Sequence, residues 1–162
     1  MIILGLDPGT ALAGWGVVDT GEKHQVNSAV CLGYGCITTD KSMTDSQRLL
    51  AIANGLEGLL NTYHPDLVSV EKLFFSRNQK TVMTVSQARG VLLYVVERQG
   101  HALIEFTPQE IKMALTGYGK AEKIQVQKMV QLLLKLPELP KPDDAADAVA
   151  AALTAAQTVR LR

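Results

Sequence analysis

Asp7, Glu71, Asp144 and Asp147 stand at the edges of apolar segments, where solubility alone does not call for a charge. Asp7 closes the run Ile2-Ile3-Leu4-Gly5-Leu6, and Glu71 closes Leu67-Val68-Ser69-Val70. Asp144 and Asp147 open an alanine-rich helical pattern and, three apart, share one helical face. Carboxylates are hard, anionic oxygen donors of the kind Mg²⁺ takes. Gathered from distant parts of the chain, these residues would make a metal-dependent phosphoryl-transfer centre, in which ions activate a water and stabilise the leaving oxygen.

Each residue also has a plainer reading. Asp7 before Pro8-Gly9 fits a turn. Glu71 fits a surface charge at a strand end. Asp143, Asp144 and Asp147 suit the positive end of a helix, and Asp143, following Pro142, reads as an N-cap. That reading explains Asp147 less well, because its face would be shared with core alanines. Asp143 lies four residues before Asp147, so spacing alone leaves open whether Asp143 or Asp144 joins it.

The formal net charge of zero hides an asymmetry. From Lys72 to Lys135 there are ten basic residues against four acidic ones, and the carboxylates above flank this region. A basic surface around an acidic pocket suits a nuclease, because cations hold phosphates while carboxylates hold metal. A solvated face explains the excess equally.

Several classes are disfavoured. No apolar stretch approaches the ~20 residues of a membrane span. The N-terminus lacks a basic n-region and Asp7 interrupts it early, so no signal peptide is expected. Cys31 and Cys36 fit neither a zinc knuckle nor a CxxC pair and read as reduced strand or core residues of a cytoplasmic protein. His24, His64 and His101 are scattered, without ligand spacing.

The elements that must position the carboxylates follow from periodicity. Residues 2–7 read as a buried strand, 14–20 as a second strand paired with it in a hairpin, and 30–39 as a third. From Thr44 to Tyr63 apolar residues recur at helical spacing. A short strand is expected at 67–71, a long helix at 79–99 and a last strand at 102–106. Short helices at 108–115 and 121–134 precede the break from Leu136 to Pro142, and a final helix starts near Asp143. This order is α/β, with an antiparallel hairpin unit feeding a parallel part. The length of 162 residues fits one domain, 1–162. Ligands in open α/β sheets collect at the carboxyl ends of strands, where Asp7 and Glu71 would lie.

Ile-Leu-Gly-Leu-Asp-Pro-Gly-Thr at 3–10, Val-Glu-Lys-Leu-Phe-Phe at 70–75, Gln-Ala-Arg-Gly at 87–90 and Asp-Ala-Ala-Asp-Ala at 144–148 resemble the RuvC family of Holliday-junction resolvases. Gly-Lys-Ala-Glu-Lys-Ile-Gln-Val at 119–126 and Leu-Leu-Lys-Leu-Pro at 133–137 extend the resemblance over about residues 2–157. No single motif decides it; the order and spacing do.

The resemblance implies an RNase H-like fold with a mixed five-stranded sheet flanked by helices. It implies a homodimer making paired, symmetric cuts in four-way DNA junctions during recombination and repair, and partnership with a RuvA–RuvB branch-migration complex. It implies two Mg²⁺ ions per site, with Mn²⁺ as substitute, held by Asp7, Glu71, Asp144 and Asp147. The family's Asp-Ala-Ala-Asp spacing selects Asp144 over Asp143. It points to Phe74 as a DNA-facing aromatic, to Arg77 and Lys80 as phosphate contacts beside it, and to Lys112 and Lys123 as DNA-contacting lysines. Lys120 joins them at the start of a helix, where backbone amides attract phosphate.

Three alternatives compete. Asp-Pro-Gly-Thr after a strand resembles the phosphate loop of actin-like and sugar-kinase ATPases, which need two such domains. A non-catalytic junction-binding module would have lost carboxylates that this chain keeps. An RNase H-like nuclease for RNA–DNA hybrids is disfavoured by the segments near 74 and 119. The long helix becomes apolar nearly all round after Ala88, as expected of a helix buried on more than one side, either in the centre of a monomer's core or between a core and a second copy across Gly90; the symmetric cleavage that the resemblance implies favours the second.

Overall fold

A computed structural model describes residues 1–21, 26–72 and 79–160. The side chains of Asn27, Gln79, Lys80, Thr81 and Arg160 lie outside that description. Strand β1 (Ile2–Asp7) is followed by β2 (Leu12–Asp19), β3 (Val30–Thr38), helix α1 (Asp45–Tyr63) and β4 (Leu67–Glu71). Then come α2 (Gln79–Arg98), β5 (Leu103–Phe106), α3 (Pro108–Thr116), α4 (Lys123–Leu134) and α5 (Asp143–Arg160). The sequence places the five strands and α1–α4 within two residues of these bounds and the start of α5 at Asp143; it does not signal the short 3-10 helix Val26–Ser28. Thr44 proves to be the N-cap of α1, bonded to the Gln47 amide while the Gln47 side chain returns the bond.

The strands form one sheet in the order β3-β2-β1-β4-β5. β1, β2 and β3 pair antiparallel, and β1, β4 and β5 pair parallel. The expected mixed five-stranded sheet is therefore present. Its central strand, β1, is covered on both faces, which is why its sequence is apolar without clean alternation.

Period-2 alternation sorts the side chains into two cores. Leu4 and Leu6 join Val17, Val68 and Val70 against Ile52 and Leu56 of α1 and Leu92 and Val96 of α2. Ile3 and Val18 point the other way, into a core with Ile111 of α3, Val130 of α4 and the alanines of α5. Asp7 on β1 and Glu71 on β4 share this second face, because they are in step with Ile3 and Ser69. The Ser69 hydroxyl confirms the orientation by donating to the Ala151 carbonyl of α5 at 2.8 Å.

Close packing of α5 fixes where its acidic end lies. A Cβ at Gly5 would meet the Ala148 carbonyl oxygen at 1.9 Å, and one at Gly14 would meet that of Asp144 at 2.1 Å. A Cβ at Gly16 would strike Val149 at 2.3 Å. Glycines on the strands and alanines on the helix thus let α5 lie directly on β1 and β2. Ala145, Ala146, Ala148 and Ala152 are all essentially inaccessible.

Candidate active site

Asp7 and Glu71 end adjacent parallel strands, one residue beyond the Leu6–Val70 pair. Across the antiparallel ladder Asp7 faces Gly14, the residue against which the Asp144 backbone is seated. Asp147 lies on the same helix one turn further. The carboxyl end of two strands and the first turns of α5 thus meet at one edge of the sheet.

A cavity of about 240 Å³ opens there. Glu71, Asp147, Lys112 and Lys123 supply its polar lining, and Pro108, Ile111, Val126 and Ala150 its apolar wall. α3 delivers Lys112 because Thr107 caps it and Pro108 starts it, with Glu110 completing the reciprocal cap. α4 delivers Lys123 as its first residue.

The carboxylates act on one another strongly. Burial first, then the charges of Glu71, Asp147 and Asp144, push Asp7 up to about 8, against a small pull from Lys123. Glu71 rises to about 7 through burial and then Asp147, with Lys123 and Lys112 opposing. Asp147 is raised by desolvation, which outweighs the hydrogen bond from Lys123. Desolvation pulls the Lys123 ammonium down, but its contacts with Asp147 and Asp143 win and its pKa rises.

Lys123 Nζ donates to Asp147 Oδ2 at 2.8 Å and lies 3.4 Å from Asp143 Oδ2. Asp143 Oδ1 in turn accepts from Gln127 Nε2 at 3.0 Å. The N-cap expected at Asp143 is corrected here: α5 starts at Asp143 itself, and the Pro142 carbonyl accepts the first helical amides, from Ala145 and Ala146. The Asp143 carboxylate is used by α4 instead.

This donor set fits a hard divalent cation. The converging groups are carboxylates, and their mutual repulsion is what a divalent charge would offset. Among the described residues no three acidic, histidine or cysteine side chains are drawn to ligand separation. Lys123, rather than a second carboxylate, faces Asp147.

The other predicted residues divide. Lys112 and Lys123 reach the cavity. Lys120 does not: it lines a separate groove with Met113 and Tyr118, because Gly117 turns the chain away after α3. Phe74 and Arg77 lie outside the described residues, as does the side chain of Lys80, which sits in the first turn of α2. Cys36, expected as a reduced strand or core residue, is a free, half-buried cysteine on β3 beside the site. It pairs across the β2–β3 ladder with Gly14, and burial together with Asp144 and Asp7 raises its thiol pKa.

A profile of the family described as crossover junction endodeoxyribonuclease RuvC matches residues 3–155. The chain belongs to the RuvC family. It is 50% identical to RuvC of Brevibacillus brevis over 97% of this chain and 92% of that one. With RuvC of Ruminiclostridium cellulolyticum it shares 48% identity, over 94% and 90% of the two chains. The structure of T. thermophilus RuvC in complex with a Holliday junction substrate superposes with a TM-score of 0.91 at 32% identity, covering 99% and 96% of the chains. This RuvC-family chain therefore has the RNase H-like fold. The yeast mitochondrial resolvase Ydc2, 13% identical with a TM-score of 0.70, shares the fold. RuvC nucleases are metal-dependent. Among the described residues no helix is long and apolar enough to cross a membrane.

Proposed function

We propose that this RuvC-family chain is a divalent-metal-dependent endonuclease that resolves four-way DNA junctions by paired, symmetric strand cuts in recombination and repair. The carrying observation is the convergence of Asp7, Glu71 and Asp147 on one sheet edge beside a cavity that Lys112 and Lys123 also line. Family membership supplies the substrate class.

Asp7, Glu71, Asp144 and Asp147 would hold the cations, two per site, with Mg²⁺ as the natural ion and Mn²⁺ as substitute. Bound ions supply an activated water and charge stabilisation at the leaving 3′ oxygen. The protein groups set the geometry around them. Glu71 and Asp7 project from strands, which hold them more rigidly than loops would. Lys112 and Lys123 line the same cavity as Glu71 and Asp147 and would pin a scissile phosphate there by charge-assisted bonds. Phe74 would stack on an unpaired base at the branch point, with Arg77 and Lys80 on the flanking phosphates. Lys120, set apart from the cavity, would bind a more distant phosphate.

A homodimer completes the reading, because symmetric cuts need two sites related by a two-fold axis. Met83 and Tyr94 on α2 are 68% and 62% exposed, and nothing lies within 4 Å of a Cβ built at Gly90 between them. That exposed stripe is the surface a second copy would cover. A single nuclease domain, cytoplasmic location and a RuvA–RuvB-type partner belong to the same proposal.

The test is incubation with a mobile four-way junction, a linear duplex and an RNA–DNA hybrid, with Mg²⁺ or with EDTA. Paired nicks in opposing strands of the junction alone, abolished by EDTA, are expected. Equal cutting of the linear duplex would contradict structure selectivity.

A further inference from the structure

Asp143 stands next to the proposed metal ligand Asp144 in the chain, and its carboxylate is engaged by α4. It is 64% exposed, and its partners are Gln127 and Lys123 on α4. Two residues one turn apart on α4, Lys123 and Gln127, face two residues one turn apart on α5, Asp143 and Asp147. Lys123 Nζ bridges both aspartates, at 2.8 Å to Asp147 and 3.4 Å to Asp143. Gln127 is only 8% exposed, so its amide is a fixed anchor rather than a mobile surface group.

This arrangement has a consequence for any cation that takes Asp147. An ammonium and a divalent ion compete for the same carboxylate, since both need its oxygens and repel each other. A lysine whose only partner was Asp147 would have to be stripped of it entirely. Lys123 has a second carboxylate already within reach, one held in place by a buried glutamine.

We propose that Asp143, anchored by Gln127, is a positioning residue for Lys123. It retains the ammonium at the cavity mouth when a divalent cation claims Asp147, which lowers the cost of cation entry and keeps Lys123 beside the phosphate. The inference rests on the reading of Asp147 as a metal ligand.

The test is Mn²⁺ binding to the purified protein, followed by electron paramagnetic resonance without DNA. Asp143→Asn is expected to weaken Mn²⁺ roughly threefold, the scale of an exposed charge pair. Asp143→Glu should restore most of that affinity. Lys123→Met should bind Mn²⁺ more tightly than the native protein yet cut junctions more slowly. In the Lys123→Met background, Asp143→Asn should have no further effect on Mn²⁺. An equal loss in both backgrounds would overturn the proposal, because Asp143 would then act on the cation through its own charge. Unchanged affinity in Asp143→Asn would overturn it too, leaving only a structural role, which lowers thermal stability without moving Mn²⁺ binding. If Asp7→Asn and Glu71→Gln both leave Mn²⁺ affinity intact, the metal-site reading itself has failed, an outcome distinct from a missing Lys123 coupling.

Discussion

The α-carbon of Gly14 is seated against the backbone of Asp144, so that a Cβ at Gly14 would come within 2.1 Å of the Asp144 carbonyl oxygen. Because Gly14 also pairs with Asp7, one glycine sets the spacing between two of the four carboxylates. Gly14→Ala must push α5 off the sheet. Overpacking of this kind costs ~1–3 kcal/mol. We expect a lower melting temperature together with a loss of junction cleavage larger than the fraction unfolded accounts for. Full activity in the folded variant would show that the spacing is not critical.

The raised carboxyls predict an unusual pH dependence for the metal-free protein. Asp7 has an ordinary value of 3.8 and is pushed up to about 8 in the fold. Between those values the folded state holds a proton that the unfolded chain has released, so stability falls as pH rises across that window. Glu71, raised to about 7, acts in the same direction over a narrower range. Asp7→Asn removes the penalty. It should raise the melting temperature clearly above pH 8 and hardly at all near pH 4, with a gain on the order of a few kcal/mol at most. A variant that is destabilised at high pH contradicts the penalty assigned to the buried Asp7 carboxylate.

Cation binding must displace those protons. Calorimetry in buffers of different ionisation enthalpy should show net proton release near pH 7, and affinity should climb as pH rises towards Asp7's value of about 8. Glu71→Gln should weaken binding and reduce the release. Affinity that is flat over this range would mean that Asp7 and Glu71 are not ligands.

Lys112 and Lys120 are expected to behave differently, since only Lys112 reaches the cavity. Lys112→Ala should slow cleavage of bound junction more than it weakens binding. Lys120→Ala should weaken binding, lower the salt slope by about one and leave the single-turnover rate nearly unchanged. Identical kinetic profiles would contradict the placement.

Gly90 offers a separate test of dimerisation. Nothing blocks a side chain there within one copy, and replacing a helical glycine usually stabilises the helix. Gly90→Arg should therefore fold well yet sediment as a monomer. A dimer that survives this change lies on another surface.

Much of this was legible in the sequence for identifiable reasons. Asp7 and Glu71 stood out because strand runs end on them, and both strand ends fall where the runs place them. The helical spacing of Asp144 and Asp147 likewise needs only local geometry. The role of Gly5, Gly14 and Gly16 was not readable, because their contacts are with α5, more than a hundred residues away. The same holds for the Gln127–Asp143 bond, which joins two helices across a proline-rich break. Asp143 accordingly read as a cap, when tertiary contacts give its carboxylate other work. The apolar run after Ala88 predicts burial on more than one side. Within one chain Ala88, Leu92, Val95 and Val96 are buried while Tyr94 is exposed, so α2 has one face in the core and one open.

The central claim is that carboxylates from β1, β4 and α5 hold cations at one centre. Anomalous diffraction from crystals soaked in Mn²⁺ tests it most directly. Peaks are expected at the sheet edge bounded by Asp7, Glu71, Asp144 and Asp147, with carboxylate oxygens at about the 2.0–2.1 Å typical of Mg²⁺ ligands. Peaks elsewhere, or a site that engages Asp143 while leaving Asp7 and Glu71 uncoordinated, would contradict it.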